Sequence, residues 1–246
     1  ANNNEKDDFK NIESLLGILL KSKTKKIVLI STIGVFNSFS DKNNENSSRY
    51  ETQLGYGKNR RFFESALVNS GIRTHIIRLP SLFGYNLKKN FLFDIINPSP
   101  SFLPSKKFIE IIKSTEVNFK KLLNKYYTID SSNKIYILDR LKLNKSNNFT
   151  LINQILYDHK SSSIFFHARE STHQFYNLKY LWNDILMLLN NELDLLNMST
   201  EPIKIKKLYK KILKKEMPYT NSTIHNENIH SSYSSLWGSS SGYMYK

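Results

Sequence analysis

The chain has 246 residues, which is enough for one or two domains with a substantial hydrophobic core. It has no cysteine, which excludes a disulfide framework and thiolate chemistry, and 39% hydrophobic and 13% aromatic residues argue against general disorder. No apolar run approaches the ~18–20 residues of a membrane span and the first twenty residues are not a signal peptide, so we expect a cytoplasmic protein without a membrane partner.

The formal net charge of +15 comes mainly from lysine. Such a charge is compatible with binding to nucleic acid. However, the lysines accompany abundant Asn, Ile, Tyr and Phe, which is the residue set of AT-rich codons. We therefore favour codon bias over a nucleic-acid partner as the origin of the charge, while noting that a basic surface also suits an anionic small molecule.

The first predicted element is an amphipathic helix that begins near Asp8. Its apolar residues recur with the helical period, and acidic residues near its amino end suit the helix dipole. The apolar positions are Phe9, Ile12, Leu15, Leu16 and Leu19. We expect this helix to lie on a sheet beside the strand that follows it.

That strand is Lys26–Ile30, an apolar and β-branched run without alternation. This pattern is typical of a strand covered on both faces of a parallel sheet. Ser31 and Thr32 follow directly, so two hydroxyl groups stand at the carboxyl end of the strand, where open α/β sheets bind their ligands. A polar segment over residues 37–54 is interpreted as a surface loop above this end.

A helix beginning at Tyr56 and a strand over Arg73–Leu79 complete a predicted βαβ unit. Apolar residues recur along the helix with helical spacing, and Gly71 closes it. Tyr56 and Arg60 stand four residues apart, so they share one face of the helix. A cation beside a phenol favours the phenolate, and such a phenol can take or return a proton, with Thr32 holding the oxygen involved. The alternative is that Tyr56 merely begins the helix and that Arg60 is solvated.

Three segments in this stretch resemble motifs of the extended short-chain dehydrogenases/reductases, the NAD-dependent sugar-nucleotide epimerases and dehydratases. Ser31–Phe36 (Ser-Thr-Ile-Gly-Val-Phe) resembles the family's Ser-Ser-x-x-Val-Tyr segment. Tyr56–Arg60 stands where the family has Tyr-x-x-x-Lys, and Arg78–Gly84 is similar to its Arg-Pro-x-x-x-Tyr-Gly segment. Asn11 would match the Asn of the family's Asn-x-x-Gly-Thr segment.

The resemblance implies a role for each matching residue. Tyr56 would be the acid/base, Thr32 the partner of the substrate oxygen, and Arg60 would replace the lysine that holds the nicotinamide ribose. The implied cofactor is NAD or NADP, and the residues implied to contact it are Ser31, Tyr56, Arg60, Leu79 and Ser81. Arg60 is a departure from the family, because a planar guanidinium does not substitute freely for an ammonium group.

A dinucleotide-binding fold begins with a Gly-x-Gly-x-x-Gly turn, and the sequence has no such turn. Only eight glycines are present, and the single Gly-x-Gly, Gly55-Tyr56-Gly57, has Arg60 at the third glycine position. The resemblance therefore begins partway through the family's first domain. We expect the sequence to be a fragment of a longer protein.

The remainder is expected to form a smaller, mostly helical substrate lobe over residues 87–246, with residues 163–197 packing back on the first domain, residues 1–86. Within it the pattern predicts a strand and several helices. The helices are Phe108–Leu123, one from Leu141, Leu151–Tyr157, Leu178–Leu196 and Glu201–Leu213, with Pro202 at the entry of the last, and the strand is Ser163–Arg169.

By resemblance, the substrate residues in this lobe are Asn90, Arg169 and Gln174. His167 and His173 are interpreted as hydrogen-bonded structural residues, because nothing near them forms a metal-binding set. No metal site is expected.

Together these features predict an α/β protein with a partial Rossmann-like parallel sheet. The implied function is that of an NAD(P)-dependent sugar-nucleotide epimerase, dehydratase or reductase, with a nucleotide sugar as substrate and a homodimer as one allowed assembly. One alternative is a catalytically inactive binding or regulatory member of the same fold. A basic nucleic-acid-binding protein is the third.

Overall fold

The computed structural model describes residues 4–245 of the chain. The α-helices are α1 (Glu5–Lys21), α2 (Gly55–Val68), α3 (Asn90–Ile96), α4 (Ser105–Ser114), α5 (Val117–Tyr126), α6 (Arg140–Asn144), α7 (Phe149–Asp158), α8 (Leu181–Asn190) and α9 (Ile205–Leu213). The strands are β1 (Lys26–Thr32), β2 (Arg73–Leu79), β3 (Ser81–Phe83), β4 (Phe102–Pro104), β5 (Tyr127–Asp130), β6 (Ile135–Leu138), β7 (Thr172–His173), β8 (Phe175–Asn177), β9 (Leu195–Asn197) and β10 (Ile203–Lys204).

The chain divides into two compact units, and each is assembled from separate pieces of sequence. Unit 1 comprises the described parts of Ala1–Leu87, Thr172–Lys204 and His225–Lys246. Unit 2 comprises Lys88–Ser171 and Ile205–Ile224. The assignment of these units to cofactor and substrate remains a prediction.

The main sheet of unit 1 is parallel, with the strand order β1-β2-β9. β1 pairs with β2 from Lys26 opposite Arg73 to Thr32 opposite Leu79, and α2 forms the crossover between them. This is the βαβ unit that the sequence predicts. Two further short pairings lie in the same unit, β3 with β8 and β7 with β10.

β1 has apolar contacts on both faces, although it is the edge strand of the described sheet. Ile27 and Leu29 pack with α1 and α2 in one cluster, and Val28 packs in the cluster of Ile77 on the other side. Because only β2 pairs with it among residues 4–245, these side chains are only half-buried, and Ile30 is 44% exposed. β1 is therefore contacted on both faces, as its sequence predicts, but it is not fully buried.

Two predicted elements in the second half of the chain are wrong in part. The helix expected over Leu178–Leu196 is limited to α8, because the chain adopts a left-handed conformation at Glu192 (φ 51°) and then enters the sheet as β9. The helix expected from Glu201 begins only at Ile205, since β10 pairs with β7. Pro202 is therefore not at a helix entry.

The strand expected over Ser163–Arg169 is instead a 3₁₀ turn over Ser163–Phe166. Ser162 accepts a hydrogen bond from the backbone N–H of Ile164, which caps the turn, and the backbone N–H of Ser163 donates to the carbonyl of Pro98. These local bonds stabilise a turn in a sequence whose apolar residues suggest a strand.

Unit 2 combines a small antiparallel sheet of order β4-β6-β5 with the helices around it. Its core contains, among others, Leu103, Phe108, Leu123, Tyr126 and Leu156. The single helix expected over Phe108–Leu123 is two helices, because the chain is extended at Thr115 and Glu116. The β5–β6 hairpin was not predicted, since its turn has Lys134 rather than glycine in the left-handed region (φ 53°).

The carboxyl-terminal segment of unit 1 has little regular structure but is well anchored. Asp184 on α8 accepts hydrogen bonds from Tyr176, from Trp237 Nε1 (2.9 Å) and from Tyr245 OH (2.7 Å). Met244 is buried in the main core cluster of the unit. Within residues 4–245, no helix is both long and apolar enough to cross a membrane.

Candidate functional site

The amino end of α2 is seated on the turn that follows β1, and glycine makes this possible. A Cβ atom on Gly57 would overlap the backbone carbonyl oxygen of Gly34. Glycine is therefore required at position 57 for the helix to approach this closely. The approach places Tyr56, the neighbour of Gly57, directly above the turn.

Tyr56 and Thr32 lie side by side at the carboxyl end of β1. Tyr56 Cε1 and Thr32 Oγ1 are 3.1 and 3.2 Å, respectively, from the point that a Cβ on Gly34 would occupy. Thr32 Oγ1 accepts a hydrogen bond from the backbone N–H of Gly34 (3.0 Å). Within the described chain its own O–H donates to no protein group, so it is available to a ligand oxygen. Tyr56 is 37% exposed and can be reached from solvent.

Arg60 lies against Tyr56, but its charge is shared with a carboxylate. The guanidinium carbon is 4.8 Å from the centre of the Tyr56 ring. The same guanidinium donates to both oxygens of Asp8, at 3.2 and 3.0 Å. Asn59 Nδ2 also donates to Asp8, at 2.9 Å. Arg60 is therefore held in place from α1 as well as from its own helix.

The electrostatics of this pair favour the ionised acid. Burial raises the pKa of Asp8, but hydrogen bonds from Asn59 and Arg60 and the charge of Arg60 outweigh that effect and lower it. The bidentate arrangement is the strong form of an Arg–carboxylate contact. The ion pair is therefore intact at neutral pH.

A cavity of about 420 Å³ opens beside this ion pair. Its walls come from α1, α2 and the carboxyl end of β1. The lining residues are Asp8, Asn11, Ile12, Leu15, Leu29, Ile30, Ser31, Arg60 and Phe63. The cavity thus brings together Ser31 and Arg60, two of the predicted cofactor contacts. It also includes Asn11 of α1, the residue that matches the family's Asn-x-x-Gly-Thr segment.

A network of buried charged side chains is bonded to the carboxyl end of β1. Arg78 and Glu64 are both 0% exposed, and Arg78 donates to the two carboxylate oxygens of Glu64 at 2.9 and 2.6 Å. Ser31 Oγ donates to Glu64 Oε1 (2.7 Å), and Arg61 Nη1 donates to Glu64 Oε2 (3.1 Å). Burial would lower the pKa of Arg78, but Glu64 more than reverses this through its hydrogen bonds and charge.

This network connects β1, α2 and β2, and it was not predicted from the sequence. The signal that sequence reasoning missed is Arg78 itself, which lies within the apolar strand Arg73–Leu79. A buried arginine needs a buried acid. Glu64, eight residues after Tyr56 on α2, is that acid. Tyr50 adds to the network, since its ring centre is 3.9 Å from the Arg61 guanidinium carbon and 5.4 Å from that of Arg78.

Three other predicted site residues belong to unit 1, and they differ in how deeply they are buried. Leu79 is buried in the core of unit 1. Ser81 is partly exposed on β3. Gln174 is fully buried, with its amide donating to the carbonyls of Thr200 and Ile229 and accepting from the N–H of Ile229. Its amide is thus bonded to backbone groups, and its predicted contact with a substrate remains a prediction.

The remaining predicted substrate residues, Asn90 and Arg169, belong to unit 2. Asn90 begins α3 in a left-handed conformation (φ 65°), and its side-chain oxygen accepts from the N–H of Leu92. Arg169 Nε lies 3.6 Å from Glu170 Oε1. The two histidines near the unit boundary pair with acids, His167 with Asp94 (3.0 Å) and His173 with a glutamate of its own unit (2.9 Å).

The residues of unit 1 fit one end of a nicotinamide dinucleotide. The cavity at the end of β1 is lined by Asn11, Arg60 and Ser31, and the Ser31 hydroxyl hydrogen is already used by Glu64. The residues that would hold a pyrophosphate are not in this sequence, because it lacks a glycine-rich turn before a helix.

The sequence matches no protein-family model, and no curated protein matches it. Solved structures do match. One is the UDP-N-acetylglucosamine 4-epimerase from Methanobrevibacter ruminantium M1, at 12% identity and a TM-score of 0.52, with 92% of this chain and 60% of that chain covered. Another is the UDP-glucuronic acid 4-epimerase from Bacillus cereus in complex with UDP-glucuronic acid and NAD, at 15% identity and 0.51, with 94% and 60% covered.

A third match is RMD from Pseudomonas aeruginosa complexed with NADPH, at 12% identity and a TM-score of 0.53, with 96% of this chain and 67% of that chain covered. The chain spans about 60% of the length of the two epimerases. At sequence identities this low, the structural similarity establishes the fold alone. The described chain therefore has part of the Rossmann-like α/β fold of the sugar-nucleotide epimerases and dehydratases, the fold class that its sequence predicts.

Proposed function

We propose that the protein containing this chain is an NAD(P)-dependent enzyme of nucleotide-sugar metabolism, an epimerase, dehydratase or reductase with Tyr56 as its acid/base. The observation that carries the proposal is the placement of Tyr56 beside Thr32 at the carboxyl end of β1, with the guanidinium of Arg60 against the phenol ring. The matching structures support it, since one holds UDP-glucuronic acid and NAD and another holds NADPH.

A bound nicotinamide would supply the hydride acceptor or donor. The residues of this chain would handle the proton. Thr32 Oγ1 already accepts from the backbone N–H of Gly34, and its O–H would donate to a sugar oxygen. Tyr56 would take the proton from that oxygen, or return it, at the phenol oxygen.

Arg60 would hold the Tyr56 ring in place, because its guanidinium carbon lies 4.8 Å from the ring centre. Ser31 would act differently. Its hydroxyl is buried and donates to Glu64, so it fixes the end of β1 rather than reaching a ligand through that hydrogen.

A catalytically inactive binding or regulatory role is the second candidate, and one observation favours it. Arg60 is held by Asp8 in a bidentate ion pair, whereas a lysine at this position would have only one flexible ammonium group. A guanidinium held in this way has less capacity to bind a ribose. The same site would then bind a nucleotide without turning it over.

The test of the acid/base role uses the intact gene product with Tyr56→Phe. Turnover of UDP-glucose or UDP-glucuronic acid with NAD is expected to fall about 10²–10⁴-fold, the usual contribution of a general acid/base. Binding of NADH, followed by its fluorescence, should be unchanged. Tyr85→Phe, at a 96% exposed tyrosine, is the matched control. Undiminished turnover by Tyr56→Phe would refute the assignment.

Arg60→Lys combined with Asp8→Asn distinguishes the two candidates. If the protein is an enzyme, it turns over substrate as it stands, and the double variant changes that rate. If neither protein shows turnover while both bind NADH, the binding role is correct. The intact mass of the protein from its own organism, compared with the mass of this chain, shows whether a pyrophosphate-binding half accompanies it.

A further inference from the structure

The positive charge of the chain is concentrated in one of its two units. Unit 2 contains 20 Lys and Arg residues and 8 Asp and Glu residues, a net charge of +12, whereas unit 1 has 16 and 13, a net charge of +3. Codon bias acts on the whole sequence and does not explain this separation. With 8 acids for 20 cations, at least 12 cations of unit 2 have no acidic partner of their own within the unit.

The densest group of these cations is on and after α9. Lys206 and Lys210 form ion pairs, at 2.7 Å with Glu170 and at 2.5 Å with Glu216. Four others form no ion pair within the described chain. These unpaired lysines are Lys207, Lys211, Lys214 and Lys215, and all four are exposed.

The apolar side of α9 is occupied in its first two turns, whereas Ile212 (39%) and Leu213 (36%) at its end are exposed. Ile205 and Tyr209 are buried within unit 2. A helix that inserts into a lipid surface needs its apolar side free. α9 exposes only two apolar residues, at its end, beside four unpaired lysines, and this balance favours a soluble polyanion over a lipid surface as its partner.

Two cavities lie on the same unit, and one of the unpaired lysines, Lys215, lines the larger of them. The larger, of about 500 Å³, is lined by Tyr209 and Lys215 from the α9 region and by Asn153 and Tyr157 from α7, among others. The smaller, of about 470 Å³, is lined by Lys160, Phe165 and the segment 219–222.

An aromatic pair separates the two cavities. The rings of Tyr157 and Phe165 have their centres 5.1 Å apart, and each ring lines one of the cavities. Tyr157 is 39% exposed and Tyr219 is 76% exposed. Each cavity therefore has one accessible tyrosine and one lysine, which provides a stacking surface and a charge for a base and its phosphate.

We propose that unit 2 binds single-stranded nucleic acid, with successive bases in the two cavities and the backbone phosphates on the unpaired lysines. Aromatic side chains along a basic groove are how proteins bind single strands without strong sequence preference. This inference goes beyond the proposed enzymatic function and uses none of the residues assigned to it.

The first experiment measures binding of a fluorescein-labelled oligouridine of about 12 nucleotides, a length within the ~4–16 nucleotides that one single-strand-binding fold covers. Fluorescence anisotropy with the full chain is expected to show saturable binding at about 50 mM salt. For single strands, the logarithm of the binding constant falls with the logarithm of the salt concentration, with a slope of about −0.7 per neutralised phosphate. If four lysines each neutralise one phosphate, the affinity should therefore fall about 50-fold between about 50 and 200 mM salt.

Two variants of unit 2 separate charge from stacking. Lys207→Glu/Lys211→Glu is expected to weaken binding at least tenfold and to reduce the salt slope. Tyr219→Ala is expected to weaken it about fivefold or more, since stacking on an aromatic ring contributes ~1–3 kcal/mol per base. Lys23→Glu/Lys25→Glu, at two exposed lysines of unit 1, is the charge-matched control and should have little effect.

Several outcomes would overturn the proposal. These are absence of saturable binding at low salt, equal losses in the two double variants, and unchanged binding by Tyr219→Ala. Equal affinity for a duplex of the same length, or for vesicles of anionic lipid, would show a general attraction to negative charge. Competition by UDP alone at the affinity of the oligonucleotide would show a mononucleotide site instead.

Discussion

The two units use charge in opposite ways. In unit 1 the central charges, Glu64 and Arg78, are fully buried and bonded to each other between the strands and helices of a parallel sheet. In unit 2 the charge is at the surface, is largely of one sign, and surrounds an apolar core. A charge change should therefore affect folding in unit 1 and recognition in unit 2. The predictions below test this contrast.

The largest effect is expected for Glu64→Gln. Removing one partner of a buried ion pair leaves an uncompensated charge and costs about 3–5 kcal/mol in the free energy of unfolding. Urea denaturation followed by circular dichroism would measure it. Glu13→Gln, at an exposed glutamate of α1, is the control and should change stability by less than about 0.5 kcal/mol.

The double variant Glu64→Leu/Arg78→Met sharpens this result. Replacing both partners by apolar side chains removes the buried charge altogether and should recover most of the lost stability. If the double variant is as unstable as Glu64→Gln alone, the loss is caused by packing rather than by the unpaired charge.

A pair of glycine substitutions is expected to have opposite signs. Gly57→Ala would place a methyl group on the carbonyl oxygen of Gly34 and should destabilise unit 1 by about 1–3 kcal/mol. Gly17→Ala, within α1 where a Cβ meets nothing within 4 Å, should stabilise by about 0.5–1 kcal/mol. Thermal denaturation of both variants measures the difference. Equal effects would contradict the close approach of α2 to the turn after β1.

Asp8→Asn should have a smaller and pH-dependent effect. The pKa of Asp8 is lowered in the folded protein, so the pair with Arg60 contributes stability that is present above the unfolded pKa of ~3.9 and is lost as the pH falls through the folded value. We expect the variant to be about 1–2 kcal/mol less stable at pH 7, with the difference disappearing toward pH 2. A difference that persists in acid would refute this account.

The smallest stability effect is expected in unit 2. Lys207→Gln and Lys211→Gln remove exposed charges without ion pairs, so each should change the free energy of unfolding by less than about 0.5 kcal/mol. A shift in the urea midpoint above that limit would show that these lysines serve folding, against the contrast drawn between the units.

The sequence predicts unit 1 better than unit 2 for a physical reason. Apolar runs such as Lys26–Ile30 and the helical period of α2 are local patterns, and these patterns determine a βαβ unit. The side-by-side placement of Tyr56 and Thr32 follows from that unit. What local patterns do not contain is the partner of a buried charge, so the Arg60–Asp8 and Arg78–Glu64 contacts became visible only in the structure.

Short strands were the other features that the sequence patterns did not predict correctly. β9 has three residues, Leu195–Asn197, and its apolar side chains continue the helical pattern of α8. The hairpin of β5 and β6 has four residues in each strand and no glycine in its turn. Tertiary pairing decides such segments, and sequence periodicity does not. Gln174 illustrates the same limit, because only the structure shows that its amide serves the backbone around Ile229.

The carboxyl-terminal anchor has a consequence for how the protein is made. The core of unit 1 contains Met244, and Asp184 is bonded to Tyr245, so the unit is complete only when these last described residues are available. At about 5–20 residues per second, a ribosome needs roughly 8–30 s to proceed from residue 87 to residue 245. During that time β1 and β2 exist without their full cover. The core of unit 1 therefore stays incomplete until synthesis has passed its last described residues.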